Sequence, residues 1–204
     1  MNPTDAIETY AREQQMRAWE IIRETRLMEI WQSIGAEVRL VGSLRCGLLA
    51  RHRDIDLHIY SAPLHPDDSF AAMARLAVHP AIERIECRNL LATDEACIEW
   101  HAFYRDRDSG MWQIDMIHIR RGSRYDGHFE RVADRIAAAL TPETRRTILQ
   151  LKFETPDDEK IAGIEYYRAV LEGGVRTYDE FLGWRRRHPL TGIDEWMPDE
   201  PLQR

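Results

Sequence analysis

The segment Asp54–Tyr60 constrains the fold of this chain more than any other. Polar and apolar residues alternate strictly along it, in the order Asp54, Ile55, Asp56, Leu57, His58, Ile59. Because successive side chains of a β-strand point to opposite faces, this pattern predicts a strand with one apolar face and one face that carries two carboxylates. The apolar face must be buried in a core, which leaves the acidic face for solvent or for a ligand.

Four more segments have strand-like patterns, and most of the remaining chain has helical spacing. The strand-like segments are residues 36–41, 81–91, 97–104 and 111–119. The last two flank a turn-rich sequence and predict an antiparallel hairpin. We expect an α+β fold in which a mixed sheet flanked by helices occupies residues 1–125, with an N-terminal helix. A helical region with an irregular tail is expected over residues 126–204.

Threonines predict three helix starts in the C-terminal region. Thr141-Pro142 and Thr155-Pro156 each place a hydroxyl at the N-cap and a proline at the first helical position, where the missing N–H costs no hydrogen bond. Thr177, followed by Glu180, matches a capping box. Helices are therefore expected to begin directly after residues 141, 155 and 177.

Composition excludes several classes of protein. The chain has 28 Lys and Arg against 35 Asp and Glu, a net charge of −7, which opposes broad binding to nucleic acid. The longest stretch free of charged residues is the ten residues Leu57–Pro66, against the ~20 apolar residues that a membrane helix needs. With no secretory signal pattern at the start, we expect a cytoplasmic protein without a membrane segment. Cys46, Cys87 and Cys97 lack CxxC spacing and are expected to be reduced thiols.

The acidic face of the central strand has the chemistry of a metal site. Asp54 and Asp56 lie ~6.6 to 6.8 Å apart at Cα on one face of a strand, and a divalent cation would relieve their repulsion. Hard oxygen ligands with few protein donors suit Mg²⁺, which keeps several waters and takes substrate phosphates as further ligands. Asp115, between apolar residues of another predicted strand, supplies a third carboxylate. Two metals ~3.5 to 4 Å apart need about this number.

Two other features suit a phosphate-bearing ligand. Gly42-Ser43 is separated from Asp54 by ten intervening residues. The glycine permits close backbone approach, and the serine and the following N–H groups are able to bind phosphate oxygens. Lysine occurs only at Lys152 and Lys160 among 28 basic residues. In a chain that otherwise uses arginine, a lysine such as Lys152 indicates either a compact point charge that binds a triphosphate or a chance position on the surface.

Three further polar residues have weaker patterns. His58 shares a face with the two acids, although a neutral, hydrogen-bonded histidine is favoured there over a site residue. Glu99 and His101 alternate on the strand that is expected to pair with the Asp115 strand. They either line the cleft, where a general base is one role for such side chains, or form a solvated strand face.

Gly42-Ser43, the Asp54-x-Asp56 strand and the later Asp115 together resemble the DNA polymerase beta-like nucleotidyltransferase superfamily. The resemblance covers roughly residues 36–120, and the helical remainder is similar in kind to the C-terminal halves of antibiotic nucleotidyltransferases such as the kanamycin enzyme. It implies that Gly42 and Ser43 contact the nucleotide phosphates. It also implies that Asp54 and Asp56 bind both of two Mg²⁺ ions, or Mn²⁺, and that Asp115 holds the catalytic one.

The implied activity is metal-dependent transfer of a nucleoside monophosphate from a nucleoside triphosphate to an acceptor hydroxyl, with release of pyrophosphate. A small hydroxylated acceptor suits the acidic charge, and a nucleic acid acceptor is not expected. The alternatives are an antitoxin-type nucleotidyltransferase that modifies a partner protein, and a non-catalytic nucleotide-binding module of the same fold. An Asp-x-Asp strand also occurs in glycosyltransferase metal sites, but that activity leaves Gly42-Ser43 without a role.

Overall fold

The chain forms five strands and eight helices over the residues that this computed structural model describes, 3–192 and 194–199. The strands are β1 (Glu37–Leu40), β2 (Asp54–Ser61), β3 (Ile82–Asn89), β4 (Cys97–Asp106) and β5 (Gly110–Arg120). The helices are α1 (Pro3–Glu24), α2 (Leu27–Gln32), α3 (Gly42–Arg45), α4 (Pro66–Leu76), α5 (His128–Ala139), α6 (Pro142–Glu154), α7 (Gly163–Leu171) and α8 (Tyr178–Arg187). The expected α+β class is confirmed.

All five strands form one mixed sheet in the order β1-β2-β5-β4-β3. β2 and β5 are parallel neighbours, whereas the other three pairs of neighbours are antiparallel. The expected hairpin of β4 and β5 is present, with Asp106 paired to Gly110 at its turn. Since β2 has a partner on each side, both ladders fix its register and therefore the face on which each of its side chains lies.

Two apolar cores lie on opposite sides of the central strands. One core joins the apolar face of the sheet to the second half of α1 and to α2 and α4, and its fully buried members include Ile21, Trp31, Ala72, Ile55, Leu57, Ile59 and Ile114. The second core joins the helical region to the segment between α3 and β2, and its members include Ile136, Ile148, Leu149, Tyr166, Phe181 and Leu48. Ile7 and Ala11 of α1 belong to this second core. The first helix therefore packs into both cores, and the division of the chain near residue 125 stays a prediction.

Two of the three expected helix starts are confirmed. Thr141 and Thr177 are the N-caps of α6 and α8, and each accepts a hydrogen bond from the backbone N–H three residues later. The start at Thr155 is wrong, because Thr155 ends α6 and the next helix begins only at Gly163. The Thr155 hydroxyl donates to the Leu151 carbonyl at 2.9 Å, and the proline that follows disfavours helical backbone at Thr155 itself.

Of the helices in the described part of the chain, none is both long and apolar enough to cross a membrane.

Candidate active site

The three aspartates meet where β2 and β5 run side by side. Asp56 is paired with Asp115 in the register of the two parallel strands, and Asp54 is paired with Gln113. Neighbouring strands are ~4.8 Å apart, and residues two apart on a strand share a face, so all three carboxylates lie on one face of the sheet. They line a cavity of about 840 Å³ between the sheet and the helical region.

Gly42 and Ser43 line the cavity and lie in the turn that begins α3. Gly42 has φ +64°, and a Cβ at this position would overlap the Asp56 carboxylate, so only glycine allows this approach. A backbone hydrogen bond from Ser43 reaches the Asp56 carboxylate. The Ser43 hydroxyl oxygen is buried, has no hydrogen-bond partner among the described residues and belongs to a residue that lines the cavity. A buried polar atom of this kind suits a polar ligand.

The aspartates of β2 are costly to ionise. Burial raises the pKa of Asp56 well above its usual value, and the charges of Asp54 and Asp115 raise it further. Burial likewise raises the pKa of Asp54, against the opposing effect of the Lys152 charge. When ionised, these carboxylates repel one another, and a bound cation would relieve that repulsion.

Side chains of the same sheet hold the third aspartate. His101 lies opposite Asp115 in the β4-β5 register, and its Nδ1 is 2.6 Å from Asp115 Oδ1. The Gln113 side-chain amide donates to Oδ1 at 2.8 Å and to Oδ2 at 3.1 Å. Gln113 precedes Asp115 by two residues and so shares its face, although its contact with the aspartate was not predicted from the sequence.

Lys152 reaches the cavity from α6, on the side opposite the sheet. Its Nζ donates to the Leu48 carbonyl oxygen at 3.0 Å and to the Tyr167 hydroxyl at 3.1 Å, and the side chain is buried. Burial lowers the pKa of Lys152, and the charge of Asp54 acts in the opposite direction. Lys160 also lines the cavity, so both lysines of the chain lie there. Helical spacing alone gave no sign that Tyr167 contacts Lys152.

The weaker candidates have different positions. His58 lines the cavity and is buried, and burial lowers its pKa to about 4, which keeps it neutral. Glu99 is not among the described residues that line the cavity, and it pairs instead with Arg88, 3.6 Å away. Of the two residues expected to alternate along β4 into the cleft, only His101 lies there.

The cavity aspartates do not form one compact set of ligand atoms. Within the described residues, one group of His, Cys, Asp or Glu side chains has three ligand atoms all within 4.8 Å of one another, and it is Glu95, Cys97 and Glu99. The cavity aspartates are more widely spread. A single Mg²⁺ with ligands at ~2.1 Å needs oxygens that lie closer together, whereas two ions ~3.5 to 4 Å apart are spanned by a wider set.

Solved structures share this architecture. The Cid1 poly(U) polymerase with bound MgGTP matches with a TM-score of 0.54 and 16% identity, over 82% of this chain and 54% of that one. The chain has a nucleotidyltransferase fold. Poly(A) polymerase GLD-2 matches in its complex with GLD-3, with a TM-score of 0.52 and 12% identity, over 83% of this chain and 58% of that one. In the GLD-2/RNP-8 structure the TM-score is 0.54 at 11% identity, over 98% and 79% of the two chains.

These polymerases belong to the DNA polymerase beta-like nucleotidyltransferase superfamily, so the resemblance seen in the sequence is confirmed at the level of fold. The chain spans little more than half the length of the Cid1 chain, 54%. No protein-family model matches the sequence, and no curated protein matches it either. The similarity is therefore one of structure, at identities between 11% and 16% for the three structures above.

Proposed function

We propose that this protein is a metal-dependent nucleotidyltransferase, which transfers a nucleoside monophosphate from a nucleoside triphosphate to an acceptor hydroxyl. The observation that carries the proposal is the convergence in one cavity of three aspartates from two parallel strands, the close turn at Gly42-Ser43 and a buried lysine. Solved structures of the same fold contain bound nucleotides, as in Cid1 with MgGTP and in Cid1 with the UTP analogue UMPNPP.

The roles of the residues follow from their positions. Asp54, Asp56 and Asp115 would hold two Mg²⁺ ions, or Mn²⁺, and the bound ions would neutralise the triphosphate and activate the acceptor hydroxyl. The unpaired Ser43 hydroxyl and the backbone at Gly42 bind phosphate oxygens, because this turn approaches Asp56 closely enough to place phosphates beside the carboxylates. Lys152 adds a positive charge to the opposite wall, with one of its three N–H groups free of the Leu48 and Tyr167 bonds.

The reaction is an in-line displacement at the α-phosphorus. A bond forms from the acceptor oxygen to the α-phosphorus while the bond from this phosphorus to the bridging α,β-oxygen breaks, and pyrophosphate leaves with the electron pair. The acceptor proton passes to a carboxylate or to water. Catalysis comes mainly from positioning and charge neutralisation, which is the part that preorganised side chains are able to supply.

Three chemical classes of acceptor are compatible with the proposed reaction. The acidic charge of the chain favours a small cationic, hydroxylated molecule, whereas Cid1 is described as having RNA terminal uridylyl transferase activity. A protein acceptor is the third class, as in the antitoxin-type enzymes considered above. Each class of acceptor offers a hydroxyl for the same reaction, so a transfer assay with each acceptor separates the three.

The test incubates the purified protein with each α-³²P-labelled nucleoside triphosphate and Mg²⁺. The acceptors are a short RNA oligonucleotide, an aminoglycoside, and the protein itself. We expect labelled product and pyrophosphate with at least one acceptor, and no product from Asp56→Asn. Asp108→Asn is the matched control, because Asp108 lies exposed in the β4-β5 turn. Full Mg²⁺-dependent activity of Asp56→Asn would overturn the assignment, and Mg-nucleotide binding without any product would favour a non-catalytic module.

A further inference from the structure

Asp115 differs from Asp54 and Asp56 in what holds its carboxylate. A backbone hydrogen bond from Ser43 reaches the carboxylate of Asp56, and the carboxylate of Asp54 interacts with the backbone of Asp54 itself. Only side chains, His101 and Gln113, hold the Asp115 carboxylate among the described residues. A side chain has rotamer freedom that a backbone N–H lacks, so the position of Asp115 depends on how well those two residues are themselves held.

The sheet holds His101 in place. It is the direct cross-strand partner of Asp115 in the antiparallel β4-β5 pair, where facing Cβ atoms are ~4.5 to 5.5 Å apart. Its Nδ1 is 2.6 Å from Asp115 Oδ1, slightly shorter than the ~2.7 to 2.9 Å of charge-assisted N–H···O hydrogen bonds. Because a carboxylate accepts, Nδ1 carries the hydrogen and donates it. Asp115 is the one hydrogen-bond partner of the His101 ring in the described part of the chain.

Both side chains of the pair reach the cavity. The His101 side chain is 30% exposed and that of Asp115 is 22% exposed, so water competes for this carboxylate more than it does in a closed core. Without His101, only the Gln113 amide, which donates to Oδ1 at 2.8 Å and to Oδ2 at 3.1 Å, would hold the Asp115 carboxylate against competing water. With His101 in place, Oδ1 has a second donor from the facing strand, and the direction of Oδ2 is better defined.

We propose that His101 is a positioning residue for Asp115. Its Nδ1–H holds Oδ1, so that the remaining lone pairs of the carboxylate face the cations shared with Asp54 and Asp56. This inference rests on the proposed function, because it assigns His101 a part in forming the same metal site. Hydrogen bonds to ligating side chains usually matter ~10- to 100-fold in metal affinity or activity.

Isosteric substitutions separate this role from general base catalysis. The amide nitrogen of Asn stands close to the position of a histidine Nδ1, whereas that of Gln stands close to Nε2. We expect His101→Ala and His101→Gln to lose ~10- to 100-fold in kcat with a KM for the nucleotide that changes less than about 3-fold. His101→Asn is expected to recover most of the lost activity, because it restores a donor to Oδ1.

The matched control is His65→Ala. His65 is exposed, lies directly before α4 and makes no side-chain capping bond, so this variant is expected to match the wild type. Thermal melts of all four variants check that each is folded. If Asn is as inactive as Ala, the ring itself is required and His101 is a general base. If Ala retains full activity, His101 has no role. Either result overturns the proposal.

A readout without turnover separates this proposal from the proposed function. Mn²⁺ binding to the purified protein is titrated by electron paramagnetic resonance, with Asp115→Asn as the reference for a lost ligand. We expect His101→Ala to weaken Mn²⁺ binding ~10-fold or more and His101→Asn to restore it. If Mn²⁺ binding changes in this way but the wild type transfers no nucleotide, the proposed enzymatic activity is refuted and the positioning role of His101 stands. Active wild type with unchanged Mn²⁺ affinity in His101→Ala would refute the positioning role alone.

Discussion

The two faces of the central strands are made by alternate residues of the same segments, yet their environments are opposite. The core face carries fully buried apolar residues, Ile55, Leu57, Ile59, Ile114 and Met116, packed against α1, α2 and α4. The cavity face carries Asp54, Asp56, Gln113 and Asp115. A shift of one residue in register would exchange the two faces. The β1 and β5 ladders on either side of β2 therefore fix the candidate site as firmly as they fix the core.

Because the two faces have opposite environments, stability and activity are expected to be separable here at the level of single residues. Substitutions on the core face remove packing and should lower the free energy of unfolding with little effect on chemistry. Substitutions on the cavity face remove charges that repel one another, so they should abolish chemistry without lowering stability. Proteins commonly accept such a cost at functional sites.

The largest stability effect is expected from Ile59→Ala on the core face. Ile59 is fully buried between the sheet and its helices, so the truncation leaves a cavity and should lower the free energy of unfolding by about 2 to 5 kcal/mol. Urea unfolding monitored by tryptophan fluorescence measures the change, with Ile59→Val as the smaller control at about 0.5 to 1.5 kcal/mol. Nucleotide transfer assayed well below the melting temperature should stay within a few-fold of the wild type. A folded but inactive Ile59→Ala would break the separation of the two faces.

A smaller, pH-dependent effect is expected from His118 on the same core face. His118 is fully buried, and burial lowers its pKa to about 4 from the usual 6.5. The unfolded chain therefore binds this proton more tightly, and the stability associated with neutral His118 is complete above pH 6.5 and is lost as the pH falls towards 4. At pH 5 the loss is about 2 kcal/mol.

His118→Gln tests this effect, because an amide near the Nε2 position keeps the 2.8 Å contact with the Ser61 hydroxyl. We expect the difference in unfolding free energy between variant and wild type to shift in favour of the variant by about 2 kcal/mol between pH 7 and pH 5. The other histidines titrate equally in both proteins and cancel. Parallel pH profiles for the two proteins would show that His118 does not titrate in this range.

The sequence predicted those features of the two faces that depend on neighbouring residues, and not those that depend on contacts between segments distant in sequence. Strict alternation in residues 54–60 is a local signal, and it correctly placed Asp54, Asp56 and His58 on one face. The pairing of Asp56 with Asp115 is a contact between distant segments, for which the sequence offered only the resemblance. The role of each of these residues in metal or nucleotide binding stays a prediction.

The wrong helix start and the position of Glu99, for which two alternatives were open, have the same origin. Thr155-Pro156 has the local sequence of a helix start, but the Thr155 hydroxyl bonds back to α6 and to the Tyr166 hydroxyl, a tertiary contact at 2.8 Å. Glu99 alternates correctly along β4, yet it pairs with Arg88 on the neighbouring strand β3. Periodicity assigns a residue to a face of the sheet, whereas the position of a cavity along that face is decided by elements distant in sequence.

The smallest stability effect, and the one with the opposite sign, is expected from Asp56→Asn in metal-free buffer. Burial and the charges of Asp54 and Asp115 raise the pKa of Asp56, so the folded protein binds this proton more tightly than the unfolded chain does. The free energy of unfolding therefore falls as the pH rises from the usual pKa of 3.8 through the raised value. Asn does not ionise, and we expect a gain of about 0.5 to 2 kcal/mol at pH 8.

Urea unfolding in EDTA at pH 4 and pH 8 measures this gain, which should shrink at the lower pH because the wild-type carboxyl is then protonated. Asn keeps an oxygen for the backbone hydrogen bond from Ser43 and fits the space beside Gly42, so the comparison isolates the charge. The control Asp108→Asn, in the exposed turn, should change stability by less than about 0.5 kcal/mol. Addition of Mg²⁺ should stabilise the wild type more than Asp56→Asn. A variant less stable than the wild type at pH 8 would mean that the Asp56 charge stabilises the fold, and the cavity face would then resemble the core face.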